Sequence, residues 1–243
     1  MTKKQRADML LVERGYFESR ARARAAIEAG LVMADGATVS KPSAALPADA
    51  VLEASAPHPY VSRGGVKLAT ALDAFGLDPS GRVCVDVGAS TGGFSHVLLS
   101  RGARRVVAVD VGHGQLHAKL KGEPRLVSLE GQDIRTFEAE RLQDLPSLVV
   151  IDVSFISLTR VLPSATRLAA PKAFLVALIK PQFEATRHAI KKGIVRDPAV
   201  REEVCSRIVE ALATLRWTVL GTIASPIPGG DGNLEFLVGA RRG

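Results

Sequence analysis

Cysteine is scarce in this chain: Cys84 and Cys205 are the only two among 243 residues. They form no Cys-x-x-Cys pair, and Cys84 lies inside an apolar run, so a disulfide framework is excluded and buried thiols in a reducing compartment are predicted. No apolar stretch approaches the length of a membrane span. The start, Met1-Thr2-Lys3-Lys4-Gln5-Arg6, is positive, but Asp8, Glu13 and Arg14 interrupt the next residues, so it does not read as a secretion signal. These absences predict a cytoplasmic protein with no membrane partner. A strongly amphipathic basic helix carrying large aromatics, the mark of a membrane-lytic segment, is also missing. His113 and His117 would share one face of a helix, but no third ligand has suitable spacing, so no metal site is expected. No internal repeat or low-complexity segment occurs. Trp217 and Phe155 read as core, and Lys191-Lys192-Gly193 as a flexible basic loop.

What is present is a folding, basic composition. Hydrophobic residues reach 47% and charged residues 23%, which excludes a disordered chain. Lys and Arg number 32 against 25 Asp and Glu, an excess that suits a polyanionic partner without naming one. The length fits a small domain plus a medium one.

Residues 1–58 form the predicted small domain. A helix is expected from Ala7 to Arg14, closed by Gly15, and a second from Arg20 to Glu28, capped by Ser19 and ended near Gly30. Short strands are expected at Leu31-Val32-Met33 and Ala37-Thr38-Val39 around the turn Ala34-Asp35-Gly36, with a third at Val51-Leu52-Glu53. Arg6, Arg14, Arg20, Arg22 and Arg24 crowd the helices, and Arg20 and Arg24 share a face. Such a surface can track a phosphate backbone. The run Arg6-Ala7-Asp8-Met9-Leu10, Ser19-Arg20-Ala21-Arg22-Ala23, Ala29-Gly30-Leu31-Val32, Asp35-Gly36 and Lys41-Pro42 resembles the S4-type RNA-binding domain. Lys4, Arg6, Arg20, Arg24 and Lys41 are the RNA-contact candidates here, with Arg63 just beyond. Pro57-His58-Pro59-Tyr60 reads as the hinge, and residues 59–62 as the linker.

Residues 63–243 alternate strand and helix patterns. Strands are expected at Val83 to Val87, Arg105 to Val109, Leu126 to Leu129, Leu148 to Ile151, Phe174 to Ile179, Thr218 to Thr222 and Leu234 to Val238. Continuous apolar runs such as Leu148-Val149-Val150-Ile151 mark strands buried on both faces, hence an α/β domain with a mostly parallel seven-stranded sheet.

The segment Asp86-Val87-Gly88-Ala89-Ser90-Thr91-Gly92-Gly93-Phe94 follows the first buried strand and leads into a helix. Glycines there let the backbone approach a ligand. The spacing is not Gly-x-Gly-x-x-Gly, so the dinucleotide fingerprint is not met. Asp86 would attract the ammonium of an amino-acid moiety. Asp110, ending the second strand, can accept both hydroxyls of a ribose. Asp133, after the third, can take an adenine amino group. Acids in that order around a glycine loop fit S-adenosylmethionine better than NAD or ATP, and Gly92→Val is expected to crowd this ligand.

Lys67, Asp152, Lys180 and Glu235 are the candidates for chemistry. Asp152 and Lys180 each end an apolar strand at the carboxyl edge of the sheet, where open α/β folds bind ligands. Asp86 to Phe94, Asp152-Val153-Ser154-Phe155-Ile156-Ser157, Lys180-Pro181-Gln182-Phe183-Glu184 and Gly232-Asn233-Leu234-Glu235 resemble the TlyA family of ribosomal RNA 2′-O-methyltransferases, often labelled hemolysin A. The catalytic half of that family is similar to FtsJ-type ribose methyltransferases, of Rossmann-like class I fold, with a Lys-Asp-Lys-Glu tetrad. The resemblance runs over essentially the whole chain. It implies a tetrad of Lys67 (in Ser62-Arg63-Gly64-Gly65-Val66-Lys67), Asp152, Lys180 and Glu235. It implies S-adenosylmethionine as methyl donor and a ribose, expected to be that of a cytidine, as acceptor. Members acting on both ribosomal subunits carry short extra terminal segments, so a chain ending at Gly243 is expected to act on the large subunit and its 23S RNA, and separately a monomer is expected. A membrane-lytic hemolysin and a catalytically idle RNA-binding assembly factor are the competing expectations.

Overall fold

The computed structural model describes residues 4–56, 58–139, 142–229 and 232–243. The expected hinge begins at Pro57, outside the described residues, as do Met1, Thr2 and Lys3 of the positive start. The chain divides into two compact units, residues 1–59 and 60–243.

The first unit runs β1 (Lys4–Arg6), α1 (Ala7–Glu13), α2 (Arg20–Glu28), β2 (Val32–Ala34), β3 (Ala37–Thr38), β4 (Ala45–Pro47) and β5 (Leu52–Ala54). Both helices start and stop where local chemistry dictates. Ser19 caps α2 by accepting from the Arg22 amide, and Gly15 and Gly30 take positive φ just beyond the helix ends. β3, β2 and β5 form one small antiparallel sheet. β1 pairs with β4 in a two-stranded ribbon. Neither of these two strands was expected, because three-residue segments with charged or proline ends carry no readable alternation. Leu10, Leu11, Ile27, Val32 and Leu52 make the core of this unit.

Asp8 is buried beneath this unit's arginines. It accepts from Arg6 at 3.0 Å and from Arg20 at 2.7 Å. The hydrogen bond from Arg6, with Arg20 adding to it, holds its carboxyl down at about 2.

The second unit holds a seven-stranded sheet in the order β13-β14-β10-β9-β6-β7-β8. The strands are β6 (Val83–Val87), β7 (Arg105–Val109), β8 (Leu126–Leu129), β9 (Leu148–Ile151), β10 (Ala173–Ile179), β13 (Thr218–Ala224) and β14 (Phe236–Arg242). The five from β8 to β10 are mutually parallel. β14 runs antiparallel between β10 and β13. Every residue of β6 and β9 is buried, as a central strand covered on both faces requires. Helices α3 (Gly64–Ala74) and α4 (Gly93–Ser100) cover one face, packing Leu68, Leu72 and Leu98 on Cys84, Val106 and Leu178. Helices α5 (Leu158–Arg167) and α7 (Pro198–Thr214) cover the other, packing Leu162 and Ile208 on Val149, Leu175 and Trp217. A single turn, α6 (Pro181–Glu184), follows β10 and leads to the hairpin β11 (Ile190–Lys191) and β12 (Ile194–Val195).

Three expectations are corrected. The last strand begins at Phe236, not Leu234, because Asn233 is drawn inward and Leu234 is turned out to solvent. The segment carrying His113 and His117 is not helical, so the two share no helical face, and no metal-binding cluster occurs among the described residues. Phe155, expected in the core, is 91% exposed. Trp217 is buried, as expected. Among the described residues no helix is long and apolar enough to cross a membrane.

Asp8→Asn should therefore loosen the first unit by about 1–2 kcal/mol, since a buried acceptor for two arginines loses its charge. The depressed carboxyl gives stability that is complete above its unfolded value near 4 and is lost as pH falls toward 2. Hydrogen exchange across α1 and α2 should show weaker protection in the variant at pH 7 and convergence with the native chain at the acid end.

Candidate active site

The strand order reverses between β6 and β9, since β7 and β8 lie on one side of β6 and β9 on the other. Ligands bind in open α/β sheets at such a switch point, beyond the carboxyl ends of the strands. Here the loops leaving β6 and β9 almost touch. The Asp152 amide donates to the Val87 carbonyl at 2.9 Å. A Cβ on Gly88, which has a φ of +82°, would lie 2.4 Å from the Asp152 carbonyl oxygen. Only glycine meets both conditions.

On one side of this joint lies a cleft of about 590 Å³, lined by Gly88, Ser90, Asp110, Asp133, Ile134 and Ile156 among others. Asp110 is anchored by amides from Ser90 and Gly112, each at 2.7 Å. Four acceptor directions on a carboxylate leave it capacity toward the cleft. Asp133 caps a short turn through the Arg135 amide and pairs with the Arg135 side chain at 2.6 Å. Apolar Val109, Ile134, Val153 and Val161 supply flat walls between the acids. Acids at the ends of β7 and β8 with apolar walls between them fit a nucleoside.

On the other side lies a smaller cleft of about 300 Å³ that shares Gly88, Ser90, Asp152 and Ser154 with the first and adds Ser62, Arg63, Lys67 and Lys180. Two ion pairs meet around it. Lys67, on α3, and Glu235, just before β14, are both buried and pair directly. Glu235 also accepts from Gln182 Nε2 at 3.3 Å. Lys180, at the end of β10, pairs with Asp152 at 2.6 Å and donates to Ser154 Oγ at 2.8 Å. The loops bearing these groups are stapled together, because Glu184 accepts from Ser157 Oγ at 2.7 Å and from the Leu158 amide at 2.5 Å. The Phe155 and Phe183 rings meet at 5.1 Å, and Phe155 holds a φ of +63°, strained for a bulky residue.

The structure thus brings the four tetrad candidates to one place, and Gly88, Ser90, Asp110 and Asp133 to the cleft beside them. Ala89, Thr91, Gly93 and Phe94 line the smaller cleft instead. Two candidates stand apart. Asp86 lies on the strand face that meets α4, fully buried, with its Oδ2 accepting from the Ser95 amide and hydroxyl at 2.8 and 2.7 Å. Period-two alternation along β6 turns it there together with Cys84, so it lines neither cleft and braces the loop from below. Burial pushes its carboxyl up to about 7. Gly92 caps α4 at positive φ, and a side chain on it would strike Leu120 and Leu116, not the ligand space.

Among the RNA-contact candidates, Lys4, Lys41 and Arg63 are exposed. Arg6 and Arg20 are tied to Asp8, and Arg24 pairs with Glu28 at 2.7 Å. Ser62, Ser154, Gln182 and Glu184 are the supporting groups that pattern reading missed. All four lie inside the motifs that carry the family resemblance, but only the fold shows whom they touch.

The clefts and sheet define a Rossmann-like methyltransferase, and comparison with known proteins agrees. Residues 60–242 match the FtsJ-like methyltransferase family and residues 5–52 the S4 domain. The chain is an S-adenosylmethionine-dependent methyltransferase, of enzyme class 2.1.1, with an S4 domain at its N-terminal end. It belongs to the TlyA family. The 16S/23S rRNA (cytidine-2'-O)-methyltransferase TlyA of Mycobacterium tuberculosis is 42% identical over 244 residues, 99% of this chain and 91% of that protein. The 23S rRNA (cytidine-2'-O)-methyltransferase TlyA of Campylobacter jejuni is 36% identical over 180 residues, 73% of this chain and 69% of that protein. A solved structure from Streptococcus thermophilus, provisionally named a hemolysin, superposes with a TM-score of 0.78 at 40% identity, covering all of this chain and 90% of that one.

The loop geometry sets two outcomes. Asp86→Asn keeps an acceptor for Ser95 and removes a carboxyl whose raised value costs stability as pH rises from about 4 to about 7. Its melting temperature should gain on the native chain across that window and level off above it. Gly92→Val should displace the 116–120 segment, so calorimetry should find weaker S-adenosylmethionine binding together with a lowered melting temperature.

Proposed function

We propose that this enzyme methylates the 2′-hydroxyl of a ribose, that of a cytidine, in ribosomal RNA, with 23S RNA of the large subunit as its target and the monomer as its active form in the cytoplasm. The observation that carries the reading is the pair of lysine–carboxylate contacts converging on a cleft that shares one wall with the cofactor cleft. Both TlyA relatives are named for 23S RNA, and only one for 16S as well. The S4 match supports an RNA substrate.

S-adenosylmethionine, held along Gly88, Ser90, Asp110 and Asp133, supplies an already activated methyl group. The residues of the smaller cleft have the task of placing a ribose oxygen in line with that group. Lys180 has three N–H donors; one is spent on Asp152 and one on Ser154, which leaves a third to orient the 2′-oxygen. Asp152, bordering both clefts, accepts the proton that leaves the hydroxyl. Lys67 and Glu235 lock α3 to the start of β14 and set the rear of the cleft. Phe155, which borders the larger cleft next to the shared Ser154 and stands exposed, offers a face on which a splayed nucleobase can stack. Lys4 and Lys41 contribute phosphate contacts from the S4 domain, together with Arg6, Arg20 and Arg24. Arg63 does the same from the catalytic domain.

The test is single-turnover transfer of labelled methyl groups to separated ribosomal subunits, followed by mapping of the labelled nucleotide. Label confined to a small-subunit base would overturn the reading. Lys180→Ala should slow the chemical step by roughly a hundredfold to ten-thousandfold with RNA affinity little changed. Lys180→Arg, which keeps charge and donors but cannot serve as a base, should retain substantial activity. An inactive arginine variant with intact cofactor binding would instead favour a neutral lysine acting as base.

A further inference from the structure

We infer that a groove beside Glu235 binds one nucleotide of the substrate RNA that flanks the methylated one. Its base lies against Leu234 and Ile194, and its phosphate on Arg196 and Arg201. The inference rests on the reading that the substrate is RNA.

The groove is a cavity of about 370 Å³ lined by Ile194, Val195, Arg196, Arg201, Gly232 and Leu234. That volume falls at the small end of ligand sites and suits a nucleobase. It is a built site. Asn233, 2% exposed, donates from Nδ2 to the Gly193 carbonyl at 2.9 Å and accepts from the Val195 amide at 3.3 Å. The β11–β12 hairpin is thereby hung from the segment that carries Glu235. Between two buried neighbours, Asn233 and Glu235, Leu234 stands 53% exposed. A large apolar side chain held out by a rigid backbone, over a second apolar residue, is a surface that favours cover.

The electrostatics point to the same occupant. Arg196 and Arg201, like Arg63, Arg160 and Arg187, form no ion pair among the described residues. The acid between them, Asp197, is turned away to cap α7 through the Ala199 amide at 2.9 Å. Exposed Lys191 and Lys192 extend the positive edge along the hairpin. Unpaired guanidinium groups above an apolar floor match a nucleotide on both counts, since arginine forks onto phosphate and stacks on bases. A free anion would not use the leucine, and an apolar peptide would not use the arginines. Glu235, next in sequence to Leu234, pairs with Lys67 of the smaller cleft, and this adjacency is the reason the groove is assigned to a nucleotide flanking the methylated one.

The experiment compares the full chain with R196A/R201A and with Leu234→Ala, using the purified ribosomal subunit that the native enzyme methylates. Subunit affinity is measured across a salt series, S-adenosylmethionine affinity by calorimetry, and methyl transfer in single turnover at saturating RNA. R196A/R201A should bind about ten- to a hundredfold more weakly at low salt. The slope of log affinity against log salt should flatten by about one to two. Leu234→Ala should lose a fewfold in affinity with the slope unchanged. Cofactor affinity and the saturated rate should stay native in the double variant, which also controls for folding. Native RNA affinity and slope in R196A/R201A would overturn the site. A native enzyme that methylates neither subunit would overturn the reading beneath it, and the two failures are read from different proteins.

Discussion

The close approach of the Gly88 backbone to the Asp152 carbonyl is the constraint on which the site depends. Two parallel neighbours, β6 and β9, end at the same level, and their loops then part to opposite sides. One backbone layer separates a nucleoside-shaped cleft from a lysine-lined one. The two clefts share Gly88, Ser90, Asp152 and Ser154 at their edges, so ligands held in them can meet directly beside the joint. The glycine at the joint is required by sterics, because a Cβ there would overlap a carbonyl that cannot move without shifting β9.

The two ion pairs differ in kind. Lys67 and Glu235 are withdrawn from water, where desolvation offsets much of the attraction and apolar residues would pack as well. Such a pair is better explained by what it holds in register, namely a helix and a strand remote in sequence. Lys180 and Asp152 sit at the cleft surface, half attached to each other and half available to a ligand. The Lys67–Glu235 pair is thus the more deeply buried of the two, and the Lys180–Asp152 pair the more open to the cleft.

Much of this was legible in the chain. Val83 to Val87 and Leu148 to Ile151 read as strands because burial on both faces favours apolar runs, and the structure draws them, with Arg105 to Val109 and the edge strand Leu126 to Leu129, at the expected limits. Lys67 and Glu235 are 168 positions apart, and no local pattern joins them; only family resemblance did. Asp86 was misplaced because a carboxylate at a strand end reads the same whether it faces a ligand or a helix amide. Phe155 was misplaced because an aromatic beside a strand is read as core, whereas a positive φ turns it outward. β1 and β4 are too short for any periodicity to show.

The position of β14 has a consequence for biosynthesis. This strand, the last of the sheet in chain order, inserts between β10 and β13, and β13 has no other partner in the sheet. Until residues 236–242 leave the translating ribosome, β13 is an unpaired edge and the far margin of the sheet is open. Glu235 arrives with that strand, so Lys67, made early, waits for its counter-ion while the rest of the sheet is synthesised. The strands flanking the Gly88 joint, β6 and β9, lie well before β14 in the chain, whereas Glu235 stands directly before β14. A chain lacking residues 235–242 would lack both the carboxylate that pairs with Lys67 and the strand that joins β13 to the sheet.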